Sequence, residues 1–135
     1  MKVFIDTSAF VALLVESETD HEKVAKIYLD YRQRRATFLT SDYVLDELFT
    51  RLLYYKFDLR TYIEKLKSSI ARNEIAVLHI GESLFEKALD IFLKYSDHKI
   101  SFTDATSYIL YKDFALDEVF TLDSDFKKMK VATSF

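Results

Sequence analysis

The chain has 135 residues, 50% of them hydrophobic, with 12 Phe, 9 Tyr and a formal net charge of −3. That length is enough for one domain with a sizeable core, and residues 1–135 are read as a single unit. With no Cys, no Pro and only Gly81, the sequence excludes a disulfide framework, a thiolate nucleophile, a Cys-based zinc site, a P-loop and a dinucleotide-binding glycine loop.

In chain order, "KVFI" reads as a short buried strand ending at Asp6, and "SAFVALLVE" as the start of a helix. A second helix follows, with Val24, Ile27, Tyr28 and Tyr31 at helical spacing and Thr19 and Glu22 spaced as a capping box. "ATFLT" is the second strand. "SDYVLDELFTRLLYY" is a helix with Leu45, Leu48, Phe49 and Leu52 as its apolar stripe. "DLRTYIEKLKSSIAR" is another, carrying Tyr62, Ile63, Leu66 and Ile70. "EIAVLHI" is the third strand, and "ESLFEKALDIFLKY" an amphipathic helix. "SFTDATSYILYKDFA" opens with Ser101 and Asp104 at capping-box spacing, "EVFTLD" is the fourth strand, and "VATSF" is a candidate short last one. Strands alternating with helices imply an α/β domain with a mainly parallel sheet covered on both faces.

In open parallel sheets, sites form beyond the carboxyl ends of the strands. Asp6 ends the first strand and is the only charge between Lys2 and Glu16. Asp123 follows "VFTL" and reaches the same sheet edge. Asp104 starts a helix and is the only charge between Lys99 and Lys112. Carboxylates about 4 Å apart repel by roughly 4 kcal/mol per pair at an effective dielectric near 20. A hard divalent ion relieves that repulsion, and Mg²⁺ or Mn²⁺ takes oxygen ligands. Such ions polarise a phosphate and activate water for in-line attack. Thr7, Ser8, Ser101, Thr103 and Thr106 are candidate supporting hydroxyls. Taken singly, each acid also has an ordinary reading: Asp6 as a helix N-cap, Asp104 as a capping-box acid, Asp123 as a turn residue. Glu47 lies opposite the apolar stripe of its helix, where a glutamate is most often solvated. His21, His79 and His98 read as surface or strand-end residues.

The charge is uneven. Arg51, Lys56, Arg60, Lys65, Lys67 and Arg72 face only Asp58 and Glu64, with Tyr54, Tyr55 and Tyr62 interleaved, and Lys127, Lys128 and Lys130 follow the last acids. These basic residues are either phosphate contacts or the solvated faces of amphipathic helices. Leu52, Leu53 and Phe57 make the first cluster a candidate interface.

The sequence resembles the PIN-domain family, most closely its VapC-type toxins of prokaryotic toxin–antitoxin pairs. "FIDTSAFVALL" resembles the family's opening strand with its first acid, Asp6. "TSDYVLDELFTRL" resembles the segment with the second acid, Glu47; "SFTDATSYIL" the third, Asp104; and "VFTLDSDF" the fourth, Asp123, with Phe126 closing the motif. The resemblance spans nearly the whole chain. It implies a single PIN-like domain, a three-layer α/β/α sandwich with a mainly parallel five-stranded sheet. It also implies that Asp6, Glu47, Asp104 and Asp123 hold Mg²⁺ or Mn²⁺ for endoribonucleolytic cleavage of RNA. Asp123 is favoured over Asp125 because it directly follows the strand, with Asp125 in a supporting or surface place. A homodimer and a cognate antitoxin that places a basic side chain near the acids are implied as well.

Two other readings compete: a PIN nuclease of RNA processing without an antitoxin, and a non-catalytic PIN-like binding module. A receiver-like phosphoacceptor domain fits poorly, since "FID" offers one acid where a pair is needed. The lack of cysteine and of a long apolar run leads to the expectation of a cytoplasmic protein without a signal peptide or membrane span.

Overall fold

In a computed structural model of the chain, residues 1–55 and 58–135 are described. The readings of Lys56 as a phosphate contact and Phe57 as an interface residue lie outside the described residues.

The elements follow the order β1 (Lys2–Ile5), α1 (Thr7–Leu14), α2 (His21–Gln33), β2 (Thr37–Ser41), α3 (Asp42–Leu52), α4 (Leu59–Ala71), β3 (Ile75–Leu78) and α5 (Glu82–Lys94). After α5 come a 3₁₀ turn (Ser96–His98), α6 (Phe102–Asp113), β4 (Glu118–Phe120) and the short α7 (Asp125–Lys128). The sheet runs β3-β2-β1-β4 and every pairing is parallel. Helices cover the sheet, as the alternating pattern requires.

β1 is central because its apolar run is buried throughout: Val3, Phe4 and Ile5 are fully inaccessible. Val119 and Phe120 of β4 are equally buried. Tyr31 packs edge-on against Phe38 and Phe120 at 6.1 and 5.3 Å between centroids, locking α2 onto β2 and β4. The Tyr31 hydroxyl donates to Glu118 Oε2 at 3.0 Å, so this buried phenol keeps a partner.

The expected five-stranded sheet has four strands among the described residues. The last segment contributes only a parallel bridge, Val119 to Thr133. Its backbone ties are Val119 N–H to the Ala132 carbonyl at 2.9 Å and Ser134 N–H to the Val119 carbonyl at 3.1 Å. Too few residues run alongside β4 to build a longer ladder.

Two side-chain expectations need correction. The stripe of α3 is turned: Val44, Leu48 and Leu52 are buried, whereas Phe49 is 36% exposed. Ser41 sets this register by accepting from Val44 N–H at 3.1 Å, and Asp42 Oδ1 accepts from Ile80 N–H at 3.1 Å. Leu52 is therefore core, while Leu53 is exposed. The Thr19–Glu22 box does not form: Asp20 is the N-cap residue of α2 and makes no side-chain cap bond. The Ser101–Asp104 box does form at α6.

The chain ends its helices without glycine. Arg35, Asn73, Ala115 and Lys130 adopt left-handed backbone after α2, α4, α6 and α7. Each sits in a Schellman pair of hydrogen bonds, as with Leu116 N–H to the Tyr111 carbonyl and Ala115 N–H to the Lys112 carbonyl.

Candidate metal centre at the sheet edge

β1 is flanked by β2 on one side and β4 on the other: the chain steps from β1 to β2 to β3 and then crosses back to β4, so the strand order reverses and a crevice opens beyond the carboxyl ends of β1 and β4. Register makes the two ends level, with Ile5 opposite Phe120. A cavity of about 330 Å³ lies there, lined by Asp6, Ser8, Glu47, Arg51, Lys99, Ser101, Asp104, Leu122, Asp123 and Asp125. A larger cavity of about 640 Å³ opens among α1, α2, α4 and β3, but it is mainly apolar and Glu64 is its only lining acid among the described residues.

Asp6 occupies the N-cap position of α1, yet its side chain makes no cap bond. Its Oδ2 instead accepts from the Thr121 hydroxyl at 2.8 Å and from the Ser8 hydroxyl at 3.3 Å. Its Oδ1 is buried with no hydrogen-bond partner. The backbone is pinned as well: Asp6 N–H donates to the Phe120 carbonyl at 3.0 Å, and Thr40 Oγ1 donates to the Ile5 carbonyl at 2.9 Å.

The same hydroxyls reach the last acid. Thr121 Oγ1 accepts from Asp123 N–H at 2.9 Å, and Ser8 Oγ accepts from Leu122 N–H at 2.9 Å. Ser134 clamps Thr121 through its N–H and its carbonyl, each at 3.2 Å. Asp123 Oδ1 accepts from Asp125 N–H at 2.9 Å.

Asp104 sits in the first turn of α6 as N3 of the capping box. Its N–H donates to Ser101 Oγ at 3.0 Å, and its Oδ2 accepts the long bond from Ser101 N–H at 3.4 Å. The capping and turn readings of Asp104 and Asp123 are thus both realised, and each uses one carboxylate oxygen. Carboxylate oxygens of Asp104, Asp123 and Asp125 lie within 4.8 Å of one another. Asp125 stands closer to this cluster than its place in the sequence suggests, with its Oδ1 also bound by Lys128 Nζ at 2.7 Å. Glu47 is half-buried at the cavity wall, 3.7 Å from Arg51 Nη2.

Burial first, and then the charges of Glu47 and Asp123, push the Asp6 carboxyl up to about 6, against the lowering effect of the Thr121 hydroxyl and the Thr7 backbone N–H. Burial, followed by the charges of Asp6 and Asp123, pushes Asp104 up to about 7. The donor set is all oxygen, one buried oxygen is unpartnered, and the acids repel one another. These features fit a hard divalent cation such as Mg²⁺ or Mn²⁺.

Of the candidate hydroxyls, Ser8 and Ser101 line the cavity. Thr7 is buried with its Oγ1 unpartnered, and neither Thr7 nor Thr103 is among the described lining residues. Thr106 Oγ1 turns back to the Thr103 carbonyl at 2.6 Å. Sequence reasoning missed Thr121, which reads as an ordinary strand residue until the β1–β4 register is known. It also missed Lys99. The histidines stand apart: His21 Nδ1 pairs with the Ala12 carbonyl, His79 with Asp42 and His98 with Asp97.

The PIN domain family model matches residues 3–132. The chain belongs to the PIN domain family. Among curated PIN relatives, it is 24% identical over 124 residues to the 23S rRNA-specific endonuclease VapC20 of Mycobacterium tuberculosis, covering 92% of this chain and 91% of that one. The crystal structure of VapC20, described as a Sarcin-Ricin loop cleaving toxin, superposes with a TM-score of 0.82 at 23% identity, covering 96% of each chain. FitAcB from Neisseria gonorrhoeae gives 0.72 at 20% identity, covering 97% of this chain and 95% of that one. VapBC2 from Rickettsia felis, bound to a DNA fragment from its promoter, gives 0.71 at 14%, covering 98% and 97%. At these identities the structural likeness shows a shared PIN fold. Among the described residues, no helix is long and apolar enough to cross a membrane.

Proposed function

We propose that this protein is a metal-dependent endoribonuclease and the toxin of a toxin–antitoxin pair. One observation carries the reading: acids from four separate segments of the chain line one cavity at the switch point of the sheet, three of them with oxygens within 4.8 Å of one another, and the most buried acid leaves an oxygen unpartnered. The name of VapC20, an rRNA-specific endonuclease, supports RNA as the substrate class. The pairing of components in VapBC2 supports a cognate antitoxin as partner. A homodimer belongs to the same reading, with exposed Leu53 and Tyr54 as its candidate contacts.

Asp6, Glu47, Asp104 and Asp123 would hold Mg²⁺ or Mn²⁺, with Asp125, whose carboxylate clusters with those of Asp104 and Asp123, beside them. A divalent cation bound there supplies positive charge for the phosphoryl oxygens and makes water a better nucleophile at neutral pH. Ser8 and Thr121 orient Asp6 and, through the backbone of Leu122 and Asp123, keep the first and last acids in step. Arg51 restrains Glu47. No histidine is among the described lining residues.

Attack of water on phosphorus with departure of the 3′-oxygen leaves a 5′-phosphate and a 3′-hydroxyl. The test is cleavage of ribosomal RNA by wild type and Asp104→Asn, with Mg²⁺, Mn²⁺ or EDTA, followed by analysis of the product ends. Cleavage with those ends, abolished by EDTA and reduced at least about a hundredfold by Asp104→Asn, supports the nuclease. Cyclic 2′,3′-phosphate ends, or equal cutting by both proteins, contradict it. A small antitoxin gene beside this one favours the toxin over an RNA-processing nuclease.

A further inference from the structure

Among the described residues, two cations line the acidic cavity, Arg51 and Lys99, and a third, Lys128, reaches one of its acids. Arg51 faces Glu47 at 3.7 Å, and Lys128 holds Asp125 at 2.7 Å. Lys99 lines the cavity with five acids, yet among the described residues it forms no ion pair within 4.0 Å. Its side chain is exposed, so a ligand can reach it.

The backbone at Lys99 is also distinct. It is left-handed, φ 54 and ψ 39, and closes the 3₁₀ turn Ser96–His98 two residues before the Ser101 cap of α6. The other four left-handed residues each complete a Schellman pair after an α-helix. Among the described residues, Lys99 has in place of such a pair the single backbone bond from its own N–H to the Ser96 carbonyl, at 3.3 Å. Glycine or asparagine suits such a position better, so the local fold does not call for a lysine.

Electrostatics gives the lysine a use. Five carboxylates against Arg51 and Lys99 leave the cavity formally negative, and one divalent cation on the acids offsets only part of that charge, so a polyanion gains from a further cation at the cavity. An ammonium is a three-donor point charge suited to a phosphate. We propose that Lys99 is a positioning residue that binds a backbone phosphate of the RNA neighbouring the one that is cut, holding the strand over the acids. The assignment rests on the nuclease reading above.

The test is steady-state cleavage of a ribosomal RNA fragment by wild type, Lys99→Gly and Lys99→Arg across a salt series, with Mn²⁺ affinity measured alongside. Glycine adopts the left-handed backbone freely, so Lys99→Gly removes the charge and keeps the turn; Lys99→Asn is the second such variant. For Lys99→Gly the expected result is a KM about tenfold higher at about 0.15 M salt, with kcat within about twofold. The slope of log kcat/KM against log salt becomes shallower by about 0.7, one single-strand phosphate contact fewer. Lys99→Arg restores both, and Mn²⁺ affinity does not fall. A wild-type KM and salt slope in Lys99→Gly overturn this assignment alone. So does a change confined to Mn²⁺ affinity, which makes Lys99 an internal counter-ion. A wild type that cuts no RNA overturns the nuclease reading and the assignment together.

Discussion

At the scale of single residues, the site is a contest between burial and repulsion. Asp6 is nearly inaccessible, and its orientation depends on two hydroxyls rather than on a cation in the fold. Replacing Thr121 by Val removes a hydroxyl that donates to a carboxylate, an interaction of about 1.5–3 kcal/mol. The expected outcome is RNA cleavage lowered about tenfold or more with the fold intact by circular dichroism, and recovery in Thr121→Ser. Loss of that hydroxyl also lets the Asp6 carboxyl rise further, so the deficit grows below neutral pH. The acids themselves were legible because a lone charge in an apolar run is costly and calls for a reason. Glu47 was not legible from its helix, because a side chain facing a polar cavity and one facing bulk water occupy the same side of a helical wheel. Thr121 was hidden because its role comes from strand pairing, not from its neighbours in sequence.

At the scale of elements, the strands were readable because each is a short apolar run, while helix ends were readable only where a cap was used. The Ser101–Asp104 spacing found a real capping box, and the same spacing at Thr19 and Glu22 did not, since α2 begins after Asp20. The 3₁₀ turn and α7 gave no periodic signal, being three and four residues long. The missing glycines hid the helix ends, which are Schellman motifs built on Arg35, Asn73, Ala115 and Lys130. Left-handed backbone costs a residue with a side chain roughly 1–2 kcal/mol, partly offset by the added entropy of glycine in the unfolded chain. Ala115→Gly, which is not among the described residues lining the acidic cavity, is therefore expected to stabilise the protein by about 0.5 kcal/mol or more in urea unfolding, with cleavage unchanged.

At the scale of the whole molecule, the parallel sheet brings acids that are up to 119 positions apart (Asp6 and Asp125) to one edge. The alternation of strands and helices foretold that sheet; its fifth strand was overestimated because "VATSF" pairs at a single bridge. Gathering acids carries a stability cost. In the metal-free fold Asp6 rises to about 6 and Asp104 to about 7, from 3.8 in the unfolded chain. The fold therefore holds protons that the unfolded chain has released. The resulting stabilisation is fully present below about pH 4 and is lost as pH rises through about 6 to 7. In EDTA, the Tm of wild type relative to Asp104→Asn is expected to fall by several degrees between about pH 5 and pH 8. Mn²⁺ is expected to raise the wild-type Tm most at the higher pH, where the carboxylates are ionised, and to leave Asp104→Asn nearly unmoved. A Tm difference that is flat with pH contradicts burial of these acids in a shared site.

The claim on which the rest depends is that these carboxylates hold a divalent cation, and Mn²⁺ binding tests it without any RNA. Calorimetric titration of Mn²⁺ into wild type, Asp6→Asn and Asp104→Asn at about pH 7.5, above the raised values of both acids, reports the site directly. The expected result is saturable binding to wild type, weakened at least about tenfold in each variant, with all three proteins folded. Equal binding by wild type and both variants, or none to wild type, would contradict it.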